Sequence, residues 1–361
     1  MQLASLGYGP FFSDSFESLA RPDLVPARVT SHRGAHLLVA GAGAGAQRAE
    51  PSGRLRHELS SVELPAVGDW VALAPGARPD DLAIIHHVLP RRTALLRRAA
   101  GTRGEAQVVA ANVDTFLVVT SANRDANPRR LERYLAAIAE SGADAIVVIN
   151  KADLCTADEL AAVAAPLEAS ARGLPVVSVS AATGAGLAAL AGAIRPGHTI
   201  ALVGMSGVGK SSLVNRLLGD QRQAVAAIDD NDRGRHATTR RELMVLPGGG
   251  VLIDTPGMRE LGLAEDHGGV AACFDDVLDT ARACRFRDCR HAGEPGCAVA
   301  TAVDDGALDP DRVASFHKLE REVAAAERRA NPVLAARAKQ RWKAVHQAQR
   351  ARKKVDPKLG T

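Results

Sequence analysis

A chain of 361 residues with 46% apolar content can build two or three packed domains, and only 3% aromatics leaves their cores to Ala, Val and Leu. The formal charge of +4 is unremarkable, and five unevenly placed cysteines exclude a secreted disulfide scaffold. Residues 1–30 lack a basic then apolar leader and no apolar run approaches the ~18 residues of a membrane span, so the chain reads as cytoplasmic, with no membrane partner.

Residues 1–25 are polar with Gly and Pro and read as a loose N-terminal extension. Residues 26–104 form the next block. Short strand-like runs at Ala27–Val29, His36–Ala40, Asp69–Leu73 and Leu82–Val88, separated by Gly/Pro turns, predict a small all-β barrel. The tract Gly41–Ala46 reads as a flexible hairpin loop. The stretch 90–104 reads as a basic linker, carrying Arg91, Arg92, Arg97, Arg98 and Arg103.

From 105 to 264 strands and helices alternate. Apolar strands are predicted at Val113–Thr120, Ala145–Ile149, Val176–Val179 and Ile200–Val203, with helices at 129–140, 156–170, 186–194 and Lys210–Leu218. A hairpin around Pro247–Gly250 leads into Val251–Ile253. The pattern predicts a doubly wound α/β parallel sheet. Residues 265–340 are Cys-rich, then helical and charged over 311–329. A basic tail occupies 341–361, and from Arg337 to Lys358 there are nine Lys/Arg against the single acid Asp356. The two basic stretches suit a polyanionic partner such as nucleic acid.

Three short motifs give the α/β block its chemistry. Gly204-Met205-Ser206-Gly207-Val208-Gly209-Lys210-Ser211 lies between a strand and a helix whose first turn holds Ser211 and Ser212, where successive backbone N–H groups can face phosphates. Lys210 is placed to reach the β- and γ-phosphates, and the Ser211 hydroxyl to ligate Mg²⁺. Asn150-Lys151-Ala152-Asp153 ends an apolar strand, where open α/β sheets bind ligands. The Asp153 carboxylate can accept N1–H and the N2 amine of guanine, a donor pair adenine lacks. Ser180 and Ala181 close another strand and are expected to offer a backbone N–H to guanine O6. Asp254-Thr255-Pro256-Gly257 supplies a carboxylate for Mg²⁺ through water and an N–H at Gly257 for the γ-phosphate. Together these specify GTP over ATP. The base reader precedes the phosphate loop, which reverses the usual order and marks a circularly permuted GTPase.

Between phosphate loop and Asp254 lies Gly234-Arg235-His236-Ala237-Thr238-Thr239-Arg240. Thr239 is the expected switch ligand to Mg²⁺, with Thr238 the alternative. Met258 follows Gly257 where many GTPases carry a water-orienting Gln, and a thioether cannot orient water. His236 is the candidate catalytic group within the chain. Further on, Cys284, Cys289, His291 and Cys297 fall within fourteen residues as C-x₄-C-x-H-x₅-C, a Cys₃His set suited to one structural Zn²⁺. Cys155 and Cys273 are read as ordinary packed residues.

With these motifs, the chain resembles the RsgA family of bacterial small-subunit-dependent GTPases over about residues 25–340. The resemblance is carried also by Val67-Gly68-Asp69-Trp70, Leu89-Pro90-Arg91-Arg92, Asn112-Val113-Asp114 and Arg129-Arg130-Leu131-Glu132-Arg133-Tyr134. It implies a multi-domain protein: an N-terminal OB-fold, a permuted P-loop GTPase and a small C-terminal zinc-binding α domain. It implies as partners the small (30S) ribosomal subunit and its rRNA, with GTP hydrolysed to GDP faster on the subunit, late in its maturation. The chain is read as a monomer. The competing readings are a regulatory GTPase with a protein effector and no ribosomal role, and an RNA-binding module with a vestigial nucleotide site.

Overall fold

The computed structural model describes residues 3–33, 36–41, 46–76, 78, 81–98, 106–123, 126–219, 241–254 and 268–330. The chain divides into two units, residues 1–262 with 268–275, and residues 263–267 with 276–361.

The first unit begins with a correction to the sequence reading. Residues 1–25 are not a loose extension. A 3-10 turn at Leu3–Leu6 and a helix α1 (Pro10–Glu17), opened by a proline in its first turn, pack onto the body of the unit. Leu6 and Phe12 are buried, and the Tyr8 and Phe12 rings lie 4.7 and 5.7 Å from the fully buried Trp70. Three of the chain's seven phenylalanines fall at positions 11, 12 and 16, and that concentration was the overlooked signal.

Five strands then close a barrel: β1 (Val25–Arg33), β2 (His36–Gly41), β3 (Gln47–Pro51), β4 (Trp70–Ala74) and β5 (Ala83–Val88), with helix α2 (Gly53–Glu58) between β3 and β4. The order is β1-β2-β3-β5-β4, and β4 pairs back to β1 from Val25↔Leu73 to Arg28↔Trp70. Only β3 and β5 run parallel. This closed Greek-key arrangement is of OB type, and Val29, Val71, Ala83 and Ile85 fill its interior. A bulge between Val29 and Ser31 lets β1 bend far enough to serve β2, β4 and β12. β3 escaped the sequence reading because Ala49 is its one buried residue, so no bulky alternation marks it.

The expected basic linker is instead a hairpin of β6 (Ala94–Arg98) and β7 (Ala106–Ala111). Arg91 holds the buried Asp69 carboxylate through two hydrogen bonds of 2.8 and 2.7 Å and donates to the Leu64 carbonyl. Arg92 pairs with Asp114. The Arg91 guanidinium serves an internal contact, which corrects its assignment to an open polyanion patch, whereas Arg92 stays exposed. Burial raises the Asp69 pKa even against the pull of Arg91, so this pair fixes geometry more than it adds stability.

The α/β part follows as β8 (Thr115–Ser121), α3 (Pro128–Ser141), β9 (Asp144–Asn150), α4 (Ala157–Ala171), β10 (Val176–Ser178), α5 (Leu187–Gly192), β11 (Thr199–Val203), α6 (Lys210–Leu218), β12 (Glu242–Val245) and β13 (Val251–Asp254). The strand order is β10-β9-β8-β11-β13-β12, parallel except for β12. The chain steps outward from β8 through β9 to β10, then returns to place β11 on the other side of β8. A topological switch point therefore lies between β8 and β11, the position where such sheets bind ligands at their carboxyl ends. Runs such as Val147–Ile149 and Ile200–Val203 are wholly buried, as a sheet covered on both faces requires. Helix α7 (Gly268–Cys273) packs on α3, and the buried Cys273 donates its thiol to the Glu132 carbonyl at 3.6 Å.

Barrel and sheet are joined by backbone pairing, Ser31 of β1 opposite Glu242 of β12. Beside this seam, Arg28 is wholly buried, with its Nε donating to the Gly68 carbonyl (3.1 Å), Nη1 to Thr199 Oγ1 (3.0 Å) and the Leu6 carbonyl, and Nη2 to the Asn112 carbonyl (3.2 Å). Its guanidinium also lies 5.6 Å from the Trp70 ring centroid. Burial lowers its pKa to about 10, with Asp114 and Asp69 opposing the shift. One side chain thus ties the N-terminal turn, the barrel and the first residue of β11. Arg28→Met keeps the volume but strips donors from three carbonyls. We expect a loss of roughly 3 kcal/mol or more in urea unfolding followed by tryptophan fluorescence, since each orphaned buried acceptor costs about 1–3 kcal/mol. A loss below about 1 kcal/mol would mean water replaces the guanidinium.

The second unit contains α8 (Asp275–Ala281), α9 (Ala298–Asp304) and α10 (Pro310–Ala330). Arg312 of α10 grips Asp276 of α8 through bonds of 2.7 and 2.9 Å. Among the described residues no helix is long and apolar enough to cross a membrane.

Candidate nucleotide site and metal centre

The loop Gly204–Gly209 joins β11 to α6 at the switch point. Gly204 has φ 143°, and a Cβ there would stand 2.2 Å from the Val119 carbonyl oxygen; at Gly209, φ 97°, it would stand 2.2 Å from Asn150 Nδ2. Only glycine permits this tight return against β8 and β9. The loop ends at the N-terminus of α6, where Ser211 and Ser212 are exposed in the first turn and the unpaired N–H groups favour an anion. Lys210 Nζ lies over the loop, donating to the Gly204 and Met205 carbonyls at 2.7 and 2.6 Å. Val208 is buried beneath it.

Asn150, at the end of β9, ties three segments together. Its Nδ2 donates to the Val208 carbonyl at 2.9 Å, and its Oδ1 accepts the Ala181 N–H at 3.0 Å. The first amino acid of the base-reading motif therefore joins the phosphate loop to the loop after β10. The Ala181 N–H that the sequence directed to the base is donated to Asn150 in this structure. Lys151 turns the chain with φ 62°, and the 3-10 turn Ala152–Leu154 leaves Asp153 exposed at the same sheet end. Ser180 Oγ accepts the Thr183 N–H at 3.0 Å and braces that neighbouring loop. Arg216 of α6 was not singled out in sequence, yet its Nε donates to the Ala181 carbonyl at 2.8 Å and its Nη2 to that of Ala182. No local pattern marks it, because its partners are 35 and 34 residues away.

Asp254 ends β13, and the parallel register Ala201↔Ile253 brings it to the same edge as the phosphate loop. The structure thus gathers Asn150, Lys151, Ala152, Asp153, Ser180, Ala181, the loop 204–212 and Asp254 at one end of one sheet. Gly257, Met258, His236, Thr238 and Thr239 lie outside the described residues, as does the basic tail 341–361.

In the second unit Cys284, Cys289, His291 and Cys297 converge, with all four ligand atoms within 4.8 Å of one another. His291 Nδ1 lies 3.5 Å from Cys284 Sγ and 3.6 Å from Cys297 Sγ. A tetrahedral site with metal–sulfur bonds of about 2.3 Å and metal–nitrogen bonds of about 2.0 Å has edges of roughly 3.5–3.8 Å, so the donor set fits a metal. Left-handed backbone at His291 (φ 56°) and Gly293 (φ 103°) folds the loop tightly enough to bring them together. Cys297 caps α9, its sulfur accepting the Ala300 N–H at 3.4 Å. Glu294 accepts the N–H groups of Ala292 (2.8 Å) and Arg290 (3.1 Å), bracing the loop from within.

The electrostatics also ask for a cation. Burial raises Cys284, but N–H groups of Val299 and Ala298 outweigh it and its pKa is lowered. Cys289 is pushed up to about 11: the His291 N–H favours its thiolate, but burial and the Cys297 and Cys284 sulfurs prevail. Three thiolates this close repel one another unless a metal neutralises them. Burial and the neighbouring His317 lower the His291 pKa, which favours the neutral imidazole that binds metals.

The RsgA GTPase family model matches residues 88–264, and "Small ribosomal subunit biogenesis GTPase RsgA" of Opitutus terrae is 49% identical, covering 99% of each chain. The chain belongs to the RsgA GTPase family. The RsgA protein of Syntrophotalea carbinolica, carrying the same title, is 44% identical over 90% of this chain and 91% of its own. Among solved structures, YjeQ from Thermotoga maritima aligns with a TM-score of 0.61 and 27% identity, over 83% of this chain and 98% of that one. YloQ, described as a circularly permuted GTPase, shares the fold with a TM-score of 0.59 over 84% of this chain and 96% of its own, at 22% identity.

Proposed function

We propose that this protein hydrolyses GTP to GDP and phosphate, binds the small ribosomal subunit, and acts late in that subunit's maturation. The observation carrying this reading is the junction at Asn150, which brings base-reading and phosphate-binding segments to one sheet edge in a family whose members are named for small-subunit biogenesis. Asp153 reads the guanine edge, and Lys210 leaves the Gly204 and Met205 carbonyls to meet the β- and γ-phosphates. Ser211, Asp254 and Thr239 (or Thr238) would hold Mg²⁺, which when bound offsets phosphate charge. The Gly257 N–H senses the γ-phosphate. The protein works in the cytoplasm as a monomer, with rRNA as the surface it meets.

Met258 cannot position water, so turnover by the free protein is slow, far below the ~1–100 s⁻¹ of efficient phosphoryl-transfer enzymes. Purified small subunits are expected to accelerate GTP turnover, and the stimulation should fall with added salt, as phosphate contacts release counterions. Equal turnover with and without subunits at low salt would favour a regulatory GTPase with a protein effector. His236 is the proposed group near the attacking water. An unchanged stimulated rate in His236→Ala would assign that role to the ribosome.

The metal is zinc, one per chain, held by Cys284, Cys289, His291 and Cys297. Metal analysis of protein purified without chelator should give one equivalent. Chelation should raise amide exchange over about residues 284–304 and leave the barrel protected, because a loop-rich segment depends on its metal for folding. Less than half an equivalent would remove zinc from the account.

A further inference from the structure

The metal loop carries a surface that its structural role does not require. Phe286 is 43% exposed, one of few large apolar side chains left open, and the Arg285 guanidinium lies 5.5 Å from its ring centroid. Arg285, Arg287 and Arg290, within four residues of it in sequence, are all exposed. Among the described residues none of the three guanidinium groups has an ion pair, unlike Arg282, which pairs with Asp279 at 3.2 Å. The nearby Glu294 carboxylate is occupied by backbone N–H groups. Phe286 lies between two of the four ligand positions, and the Arg285 N–H donates to the Gly296 carbonyl at 3.1 Å, so its backbone is anchored on both sides.

We propose that Phe286 is a stacking platform for an unpaired RNA base, with Arg285, Arg287 and Arg290 contacting the flanking phosphates. An exposed aromatic ring beside guanidinium groups that have no ion pair among the described residues matches a single strand, which offers a π-face at each nucleotide and a phosphate between each pair. Duplex RNA buries its faces in stacking and offers the ring nothing. A rigid loop also lowers the ordering cost of holding the ring out in water. The proposal deepens the ribosomal reading by naming where rRNA would be touched.

The test uses the full-length, metal-loaded protein with two probes, a fluorescein-labelled oligouridylate and purified small subunits. Phe286→Ala should weaken oligouridylate binding about 5- to 100-fold with metal content unchanged, and Phe286→Trp should retain it, as loss and replacement of one base stack require. Arg287→Ala should lower the slope of log affinity against log salt by about one. Benzoylphenylalanine at position 286 should crosslink to rRNA on the subunit. Wild-type affinity in Phe286→Ala, equal weakening in Phe286→Trp, or crosslinking to a ribosomal protein would each overturn the platform. If the oligonucleotide results hold but wild type fails to bind subunits, the platform stands and the ribosomal reading falls.

Discussion

Lys210→Ala should abolish measurable GTP turnover, a loss of at least about 10²–10³-fold, while the protein keeps its fold. The expected size follows from removing one preorganised charge aimed at phosphate oxygens where negative charge develops. In the structure the ammonium group donates to two carbonyls of its own loop, those of Gly204 and Met205. It is held ready over the cradle, and no other cation of the 204–211 motif can take its place. The steady-state rate should be read beside thermal unfolding and metal content, both of which should match the wild type. Turnover near the wild-type level in a folded variant would show that the loop has been misassigned.

The second large effect concerns base choice. Asp153→Asn should lower GTP affinity by about 10³-fold or more, the scale seen when a site built to hydrogen-bond a substrate meets a mismatched group. An amide offers one acceptor and two donors where guanine N1–H and N2 need two acceptors. The exposed position of Asp153, beyond the left-handed turn at Lys151, leaves it free of structural duty, so the change should act on binding and leave stability intact. Xanthine carries a carbonyl in place of the N2 amine, and the variant's amide can donate to it. Competition of GTP, XTP and ATP against a fluorescent guanine nucleotide reads the outcome. An unchanged preference for GTP over ATP would shift base recognition away from Asp153.

The nucleotide motifs and the metal ligands were legible because their chemistry is local. Gly204, Gly209 and Lys210 act through backbone geometry within a few residues, and the four metal ligands fit one loop. What sequence reading missed acts across long separations. Arg28 reaches Thr199, 171 residues on, and Arg91 reaches Asp69, 22 residues back. Neither pairing leaves a periodic trace, so Arg91 looked like part of an open basic stretch. The N-terminal helix was missed for a related reason: its value lies in covering Trp70, and Trp70 declares itself a receptor for Tyr8 and Phe12 only once the barrel has closed. The barrel strands with apolar runs were found, and the thinly apolar β3 was not.

The permuted order also sets the sequence of events during synthesis. A chain emerging N-terminus first completes its barrel once β5 has formed at Ala83–Val88. β8 and β9 can then pair, from Thr115↔Asp144 to Ser121↔Asn150. β8 nevertheless keeps one unpaired edge until β11 arrives with Ile200↔Thr115. The segment proposed to read guanine is therefore made before the loop proposed to hold the phosphates, and on that reading the nascent protein cannot hold a nucleotide while that edge stays open. The last strand of the site, β13, brings Asp254 together with β12, the strand that seals the sheet to the barrel. Arrival of Asp254 at the sheet edge and the joining of sheet to barrel are thus reached in the same stretch of translation.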